Sequence, residues 1–211
     1  MKKILIISLA CLSIAALALY IFQAPAKEAL YAKITADMFV AADDDNFDPG
    51  PALGSSFPAV RALYKDKELS QISQFAGDKG TVLVASRSME WCPFCMKQMI
   101  QLQEHKAAFD KAGIGLVGIT YDSPKLQQVF IDQFEISIPL LSDIDVTTFK
   151  TLGIVNQEYP PGDESYGIPY PGMIIIDPNG IVVGKLFLEG YATRVDSQAA
   201  LEIAIHALAD E

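Results

Sequence analysis

The 211-residue chain has little cysteine, little histidine and few basic residues. Its 3 cysteines cannot build a disulfide-stapled scaffold, and its 2 histidines, His105 and His206, stand alone without metal-ligand spacing. With 16 basic residues against 26 acidic ones, the formal net charge is −10, the wrong sign for a protein that binds phosphate backbones. We therefore expect no nucleic-acid partner, no metal and no cofactor.

Proline, glycine and long hydrophobic runs are also scarce. The 12 prolines and 14 glycines, together with 51% hydrophobic residues, exclude a disordered or fibrous chain and indicate a globular protein. The exception is an uncharged, apolar run over residues 4–22, which follows Lys2 and Lys3. Its length approaches the ~20 residues that span a bilayer as a helix.

Two interpretations of this run stay open. Its length fits a retained membrane anchor, whereas the small residues Ala24 and Ala26 fit a signal peptide that is cleaved before Lys27. In both cases the positive-inside bias leaves the two lysines in the cytoplasm and places the rest outside it, in the periplasm or on the outer face of the cell membrane. The protein is thus expected to be anchored through residues 4–22 or secreted. We predict three segments: residues 1–26 as anchor or signal peptide, residues 27–52 as an N-terminal extension and residues 53–211 as one domain.

From residue 81 onward, short β-rich runs alternate with helical patterns. The run Thr81–Ala85 is apolar apart from its first residue, as in a strand buried in a parallel sheet. A helix is predicted from Pro93 to just before Gly113, and the chain closes with a hairpin over residues 173–188 and a helix capped by Asp196 or Ser197. The other predicted elements are a helix over residues 28–39, strands over 114–120 and 136–141, and a helix over 146–152. A further helix is predicted from Pro124, and it carries Leu126, Val129, Phe130 and Phe134. This order predicts an α/β fold with a mixed central sheet flanked by helices.

The chemistry concentrates at Cys92 and Cys95, which are separated by Pro93 and Phe94 at the start of the first long helix. Unpaired backbone N–H groups and the helix dipole at that position stabilise a thiolate, and they can lower a cysteine pKa from ~8.5 to roughly 3.5–7.5. Cys95, one turn further on, is turned inward and can close a small disulfide ring with Cys92. The alternatives are an inert structural disulfide, which would be an odd staple across so small a loop, and half of a zinc site that lacks two ligands. We favour a redox pair with Cys92 as the nucleophile and Cys95 as the resolving thiol.

The motif Trp91-Cys92-Pro93-Phe94-Cys95, the segments 118–124 and 138–143, and the hairpin that begins at Met173 resemble the thioredoxin superfamily. The closer match is to the peroxiredoxin-like redoxins of the alkyl hydroperoxide reductase and thiol-specific antioxidant family. The resemblance covers residues 53–208 and implies a thioredoxin-like fold. It also implies that Pro171, six residues before Asp177, is a cis-proline facing the cysteine pair.

Departures from the family pattern bear on the choice between two activities. Peroxiredoxins place a Thr or Ser three residues before the peroxide-reacting cysteine, and alignment on the helix makes that cysteine Cys95, with Cys92 in place of the hydroxyl. They also carry an arginine where Pro171 stands, and Arg87 is the only nearby cation that could replace it. An exposed first cysteine and a cis-proline, the two thioredoxin requirements, are both expected here. Disulfide exchange is therefore favoured over peroxide reduction.

The predicted mechanism is thiol-disulfide exchange, in a direction that the sequence leaves open. The Cys92 thiolate attacks a disulfide of a substrate protein or small molecule, and Cys95 resolves the mixed disulfide. Ser86 replaces the buried Asp of thioredoxins, so Glu90 or water is the candidate acceptor for the Cys95 proton. A separate redox partner must recycle the pair, because the exported part contains no third cysteine.

Two other functions are weighed. The first is a peroxiredoxin-like thiol peroxidase with an antioxidant role. The second is a copper-binding module, in which the two thiolates would need a third soft ligand such as Met96 or Met99. A Met at helical spacing is more often part of a core, which disfavours the copper hypothesis.

The charge pattern around residues 4–22 makes a testable prediction about location. A C-terminal alkaline phosphatase fusion should be active in cells, because that reporter works only outside the cytoplasm. The mass of the mature protein then shows whether it begins at Met1 or at Lys27. An inactive fusion that stays in the cytoplasm would contradict the predicted topology.

Overall fold

A computed structural model describes residues 27–41 and 46–209, and the apolar run over residues 4–22 lies outside them. The described residues divide into two units, the first ending at Asp37 and the second beginning at Met38. Within the described ranges, no helix is both long enough and apolar enough to cross a membrane. The anchor or signal peptide stays a prediction.

In the first unit, residues 27–34 form helix α1. Where this helix ends, Thr35 Oγ1 donates a hydrogen bond of 2.7 Å to a carbonyl one turn back. The predicted helix over residues 28–39 is too long. Phe39–Val40, which belong to the second unit, instead form strand β1. It pairs in parallel with β9 (Arg194–Val195), as suits an aromatic and a β-branched residue.

The second unit is built on a seven-stranded sheet. Its strands are β2 (Ala62–Tyr64), β3 (Lys67–Leu69), β4 (Gly80–Ala85), β5 (Ile114–Thr120), β6 (Leu140–Asp143), β7 (Gly172–Ile176) and β8 (Val182–Phe187). They lie in the order β3-β2-β6-β5-β4-β7-β8. The pairs β4–β5 and β5–β6 are parallel and the others are antiparallel. The predicted mixed sheet is confirmed.

Strand β4 is the most constrained element of the sheet. All its residues are buried, and it is hydrogen-bonded on both edges, to β5 in parallel and to β7 antiparallel. Its side chains alternate between two apolar clusters on opposite faces: Val82 and Val84 pack into one, and Leu83 and Ala85 pack into the other. Burial on both faces explains why this strand is a nearly continuous apolar run instead of an alternating one.

Four helices flank the sheet: α2 (Pro93–Lys111), α3 (Pro124–Phe134), α4 (Thr147–Leu152) and α5 (Ser197–Ala207). Their predicted starts are confirmed for α2 at Pro93, for α3 with Ser123 as the N-cap and for α5 with Asp196 as the N-cap. The strand predicted over residues 136–141 begins only at Leu140. The N–H groups of Ser137 and Ile138 bind Oε1 of Gln103 on α2, so these residues are tied to a helix and not to a neighbouring strand.

Of the four apolar residues that the sequence places on α3, only Phe130 is buried. Leu126, Val129 and Phe134 are all exposed, Val129 by 62%. The second buried position belongs to Gln127, whose Nε2 donates hydrogen bonds to Thr120 Oγ1 and to the carbonyl of Leu141. A buried amide that bonds to two neighbouring strands turns the helix away from the face that hydrophobicity alone predicts.

The N-cap of α5 should contribute more to stability than the N-cap of α3. Asp196 accepts hydrogen bonds from the N–H groups of Gln198 and Ala199 and also from Nε2 of Gln101 on α2, at 2.6 Å. Ser123 accepts a single bond of 3.4 Å on an exposed helix start. We expect Asp196→Ala to lower the free energy of unfolding by about 1–2 kcal/mol and Ser123→Ala by about 0.5 kcal/mol, measured by equilibrium urea denaturation. Equal effects, or the reverse order, would show that the hydrogen bond between Gln101 and Asp196 adds nothing to the free energy of unfolding.

Candidate active site

The two cysteines lie where β4 leads into α2. Cys92 is the N-cap of this helix, and its Sγ accepts a hydrogen bond of 3.2 Å from the N–H of Cys95. The two sulfurs form a disulfide, with the Cα atoms 5.3 Å apart. Pro93 is the first helical residue, where a missing N–H costs the helix nothing. The structure brings the predicted redox pair together at the predicted place.

The expected exposure of Cys92 is wrong. Cys92 is 1% exposed and Cys95 is 0% exposed, and both belong to the apolar cluster that contains Met89 and Met99. Met99, weighed as a copper ligand, is a core residue, while Met96 is partly buried against the same cluster. The described residues contain no group of three or more His, Cys, Asp or Glu side chains that could hold a metal ion.

Trp91 and Glu90 occupy the surface in front of the disulfide. Trp91 is 39% exposed, and its Nε1 donates a hydrogen bond of 2.7 Å to the hydroxyl of Tyr121. Burial raises the pKa of Tyr121. Glu90 is exposed, and its backbone N–H donates to Ser88 Oγ. Ser86 is fully buried, and its Oγ has no hydrogen-bond partner among the described residues. The assignment of Glu90 or water as the acceptor of the Cys95 proton stays a prediction.

Asp122 fixes the loop that precedes Cys92, a role that the sequence did not reveal. This buried carboxylate follows β5 and accepts hydrogen bonds of 2.7 Å from Ser88 Oγ and from the N–H of Met89. Ser88 Oγ in turn accepts from the N–H groups of Glu90 and Trp91. The chain between β4 and α2 is therefore held by a single carboxylate through one serine.

Arg194 is the second residue that sequence reasoning missed. It is 2% exposed, and its Nη2 lies 3.7 Å from Cys95 Sγ. Its Nη1 donates hydrogen bonds to the carbonyls of Tyr191 and Thr193, so the backbone holds the guanidinium in place. Burial, followed by the nearby Arg87 guanidinium, lowers the pKa of Arg194 to about 9, which leaves it a cation at neutral pH.

Arg87 is buried as well, under an aromatic ring. Its guanidinium carbon lies 3.8 Å from the centroid of the Tyr191 ring, and the same ring packs edge-on against Phe94 between the two cysteines. Burial lowers the pKa of Arg87. The expectation that Arg87 is the only nearby cation is wrong, because Arg194 lies directly against the disulfide.

Pro171 does not have the predicted conformation. It directly precedes β7, whose first residue, Gly172, pairs with Ala85 at the end of β4. The structure describes no cis peptide bond, so the bond before Pro171 is trans. The cis-proline expected from the resemblance is wrong for this chain.

One sequence signal could have led to the buried arginines. Arginine occurs at only three positions, 61, 87 and 194, and the guanidinium is the cation that proteins most readily bury. Arg194 also stands two residues before the capping Asp196, in strand β9. That it reaches Cys95 could not be read from the sequence, because 99 residues separate the two.

Comparison with known proteins identifies the family. A model of the AhpC/TSA family matches residues 53–185. The chain belongs to this family. It is 34% identical over 107 residues to the peroxiredoxin of Thermoplasma volcanium, with 48% of this chain and 49% of that protein covered. It is 28% identical to the chloroplastic peroxiredoxin Q of Sedum lineare, with 61% and 65% covered.

The chain spans about half to two thirds of the length of these two curated relatives. A solved peroxiredoxin-like protein from Aquifex aeolicus superimposes with a TM-score of 0.63 at 19% identity, over 76% of this chain and 90% of that one. This structural likeness shows the fold. The chain is a peroxiredoxin-like redoxin with the thioredoxin-like fold that its sequence predicts.

The Asp122 carboxyl makes a prediction about pH. Burial raises its pKa, against the hydrogen bonds from Met89 and Ser88, which lower it. A folded pKa above the unfolded value gives stability that is complete below the unfolded pKa and is lost as the pH rises through the folded pKa. The stability advantage of the wild type over Asp122→Asn should therefore shrink as the pH rises above the unfolded Asp value of ~3.9.

Urea denaturation followed by Trp91 fluorescence measures this difference, with the exposed Asp132→Asn as the control variant. An advantage that grows with pH would show that the ionised carboxylate, and not its protonated form, gives the loop its stability. The two outcomes are opposite in sign, so a single pH series separates them.

Proposed function

We propose that the chain is an extracytoplasmic thiol peroxidase in which Cys92 and Cys95 reduce a peroxide and become the disulfide. The observation that carries this proposal is the contact between the Arg194 guanidinium and Cys95 Sγ in a site that excludes solvent. The relatives named peroxiredoxins support the same activity. The uncharged run over residues 4–22 supports the location, anchored or secreted.

The reaction balances with the two thiols alone as reductant. The Cys95 thiolate attacks one peroxide oxygen, the O–O bond breaks, and the leaving oxygen takes a proton to form an alcohol or water. This step oxidises Cys95 to a sulfenic acid. The Cys92 thiolate then attacks the Cys95 sulfur, the S–S bond forms and hydroxide leaves, taking a proton to give water. The pair has lost two electrons, which the peroxide has gained.

The guanidinium can act at both stages. A fixed cation beside Cys95 Sγ favours the thiolate over the thiol and stabilises the negative charge that develops on the leaving oxygen. Because the Arg194 side chain is held by two backbone carbonyls, it does not have to reorganise during the reaction. It can thus supply the charge that peroxiredoxins obtain from the arginine at the Pro171 position.

Burial of both sulfurs favours a small substrate. In thiol-disulfide exchange, the attacking sulfur must lie in line with the substrate S–S bond that breaks. A protein substrate therefore needs an open surface around the nucleophilic cysteine. Cys92 and Cys95 expose 1% and 0% of their surfaces. A peroxide of a few atoms needs a much smaller opening than a folded protein does.

Thiol-disulfide exchange is the second candidate function. The observation in its favour is Cys92 at the N-cap of α2, with the N–H of Cys95 directed at its sulfur. In this reaction Cys92 attacks first and Cys95 resolves. Either function needs a dithiol partner that reduces the finished disulfide, since the pair is spent after one turnover.

The two candidates assign the first attack to different sulfurs, and cysteine variants of the full chain separate them. We expect Cys95→Ser to abolish reaction with hydrogen peroxide, and Cys92→Ser to yield a Cys95 sulfenic acid that a dimedone probe labels. Stopped-flow fluorescence of Trp91, the neighbour of Cys92, follows the oxidation. Peroxide-insensitive protein that reduces insulin quickly, with mixed disulfides trapped through Cys92 in Cys95→Ser, would reject the peroxidase and support disulfide exchange.

The arginine gives an independent prediction. Arg194→Met should lower the second-order rate constant for peroxide about 10²–10³-fold, the effect typical of losing one preorganised charged donor. Arg61→Met is the matched control, because Arg61 is exposed and pairs with Glu68 at the surface. An unchanged rate constant in Arg194→Met would show that the contact between Arg194 and Cys95 does not assist peroxide reduction, which would contradict the peroxidase proposal.

A further inference from the structure

Two of the three arginines in the chain are buried around one tyrosine. The Arg87 guanidinium stacks on the ring of Tyr191, and Arg194 donates to the carbonyl of the same residue. Arg87 and Arg194 are each 2% exposed. Each cation raises the cost of burying the other, as the lowered pKa of Arg194 shows.

Neither cation has a counter-ion among the described residues. The ion pairs within 4 Å that involve Arg61, Lys106 and Lys185 include neither buried arginine. Glu158 is the one carboxylate that affects the pKa of Arg87, and it is exposed and hydrogen-bonded to Asn156. Buried charges in proteins are ordinarily paired, so this arrangement calls for an anion.

Unused hydrogen-bond donors point to the same conclusion. Nε and Nη1 of Arg87 and Nε of Arg194 are buried without a hydrogen-bond partner among the described residues. A guanidinium presents its N–H groups as a planar fork that matches the two oxygens of a carboxylate. Burying three such donors without a hydrogen-bond partner costs far more free energy than leaving them hydrogen-bonded to water.

The redox state changes the charge balance of the site. In the reduced protein a Cys95 thiolate neutralises one of the two cations, and in the disulfide form it neutralises neither. Arg87 therefore has no counter-ion among the described residues in either state. The counter-ion that Arg87 requires must come from outside the described residues.

We propose that Arg87 and Arg194 form a binding site for a carboxylate beside Cys95, and that the preferred substrate is a hydroperoxide that carries a carboxylate. The substrate half of this proposal rests on the peroxidase function, whereas the anion site stands without it. Tyr191 lies in the turn between β8 and β9 and is 50% exposed. Rotation of this one side chain opens Arg87 to solvent and gives the carboxylate its entrance.

Formate is a probe of the anion site that needs no turnover. The three arginines give three Nε–H signals in a nitrogen-15 NMR spectrum, and Arg61, bound to Glu68, is the internal control. Titration of the oxidised full chain with formate should shift the signals of Arg87 and Arg194 and leave that of Arg61 in place. Shifts of all three together, or of none, would overturn the site.

Calorimetry of variants gives a second measure of the same binding. Arg87→Met should weaken formate binding roughly tenfold or more, the effect expected for loss of a charged hydrogen-bond donor, while Arg61→Met should bind as the wild type does. Removal of an unpaired buried charge leaves the apolar stem of the side chain in place, so the variant is expected to fold. Equal affinity in the wild type and in Arg87→Met would contradict the proposal.

The substrate is tested with a matched pair of peroxides. A hydroperoxide that bears a carboxylate should oxidise the reduced protein roughly tenfold faster than its methyl ester, and Arg87→Met should bring that ratio close to one. A ratio of one in the wild type would overturn the substrate assignment. If neither peroxide reacts while formate still binds, the peroxidase function fails and the anion site stands.

Discussion

Strand β4 constrains everything else in this molecule. It is hydrogen-bonded on both edges and buried on both faces. Its carboxyl end therefore has a fixed position between β5 and β7. The loop that follows is tied by Ser88 to Asp122 at the end of β5. Helix α2 therefore begins at a fixed place, and the N-cap position of Cys92 is a consequence of the strand pairing. Side chains that act on the disulfide must come from segments that reach this same edge of the sheet.

The turn after β8 is the segment that reaches this edge. It brings Tyr191 against Phe94 and Arg194 against Cys95, so the wall of the site comes from a part of the chain far from the motif. This wall packs against Phe94 and Cys95 of the motif. It also introduces two cations into an apolar environment, which is unfavourable for folding unless a thiolate or an external anion balances them. The same contacts thus narrow the range of substrates and determine the charge that the site accepts.

Most of the fold could be predicted from local signals, and part of the site could not. The buried run at β4, the Pro93 start of α2 and the caps of α3 and α5 are local features, and the structure confirms each of them. The buried face of α3 could not be predicted from hydrophobicity, because it contains Gln127. The side-chain amide of Gln127 is buried and donates a hydrogen bond to the carbonyl of Leu141. Arg194 was missed for a related reason: its role depends on a contact with Cys95, and no pattern within a short window encodes that contact. The exposure predicted for Cys92 was wrong because Cys92 packs in an apolar cluster that also contains residues from distant segments, such as Met173 and Val195.

Charge in the proposed site is linked to the redox state of the cysteines. Oxidation removes the Cys95 thiolate and leaves Arg87 and Arg194 both without a counter-ion among the described residues. A carboxylate should therefore bind the disulfide form more tightly than the dithiol form. Linkage is reciprocal, and a bound carboxylate must therefore stabilise the disulfide against reduction to the same extent. An alcohol product that keeps its carboxylate would delay reduction of the enzyme until it leaves. The recycling partner then acts on an enzyme that has released its product, which orders the two half-reactions through electrostatics alone.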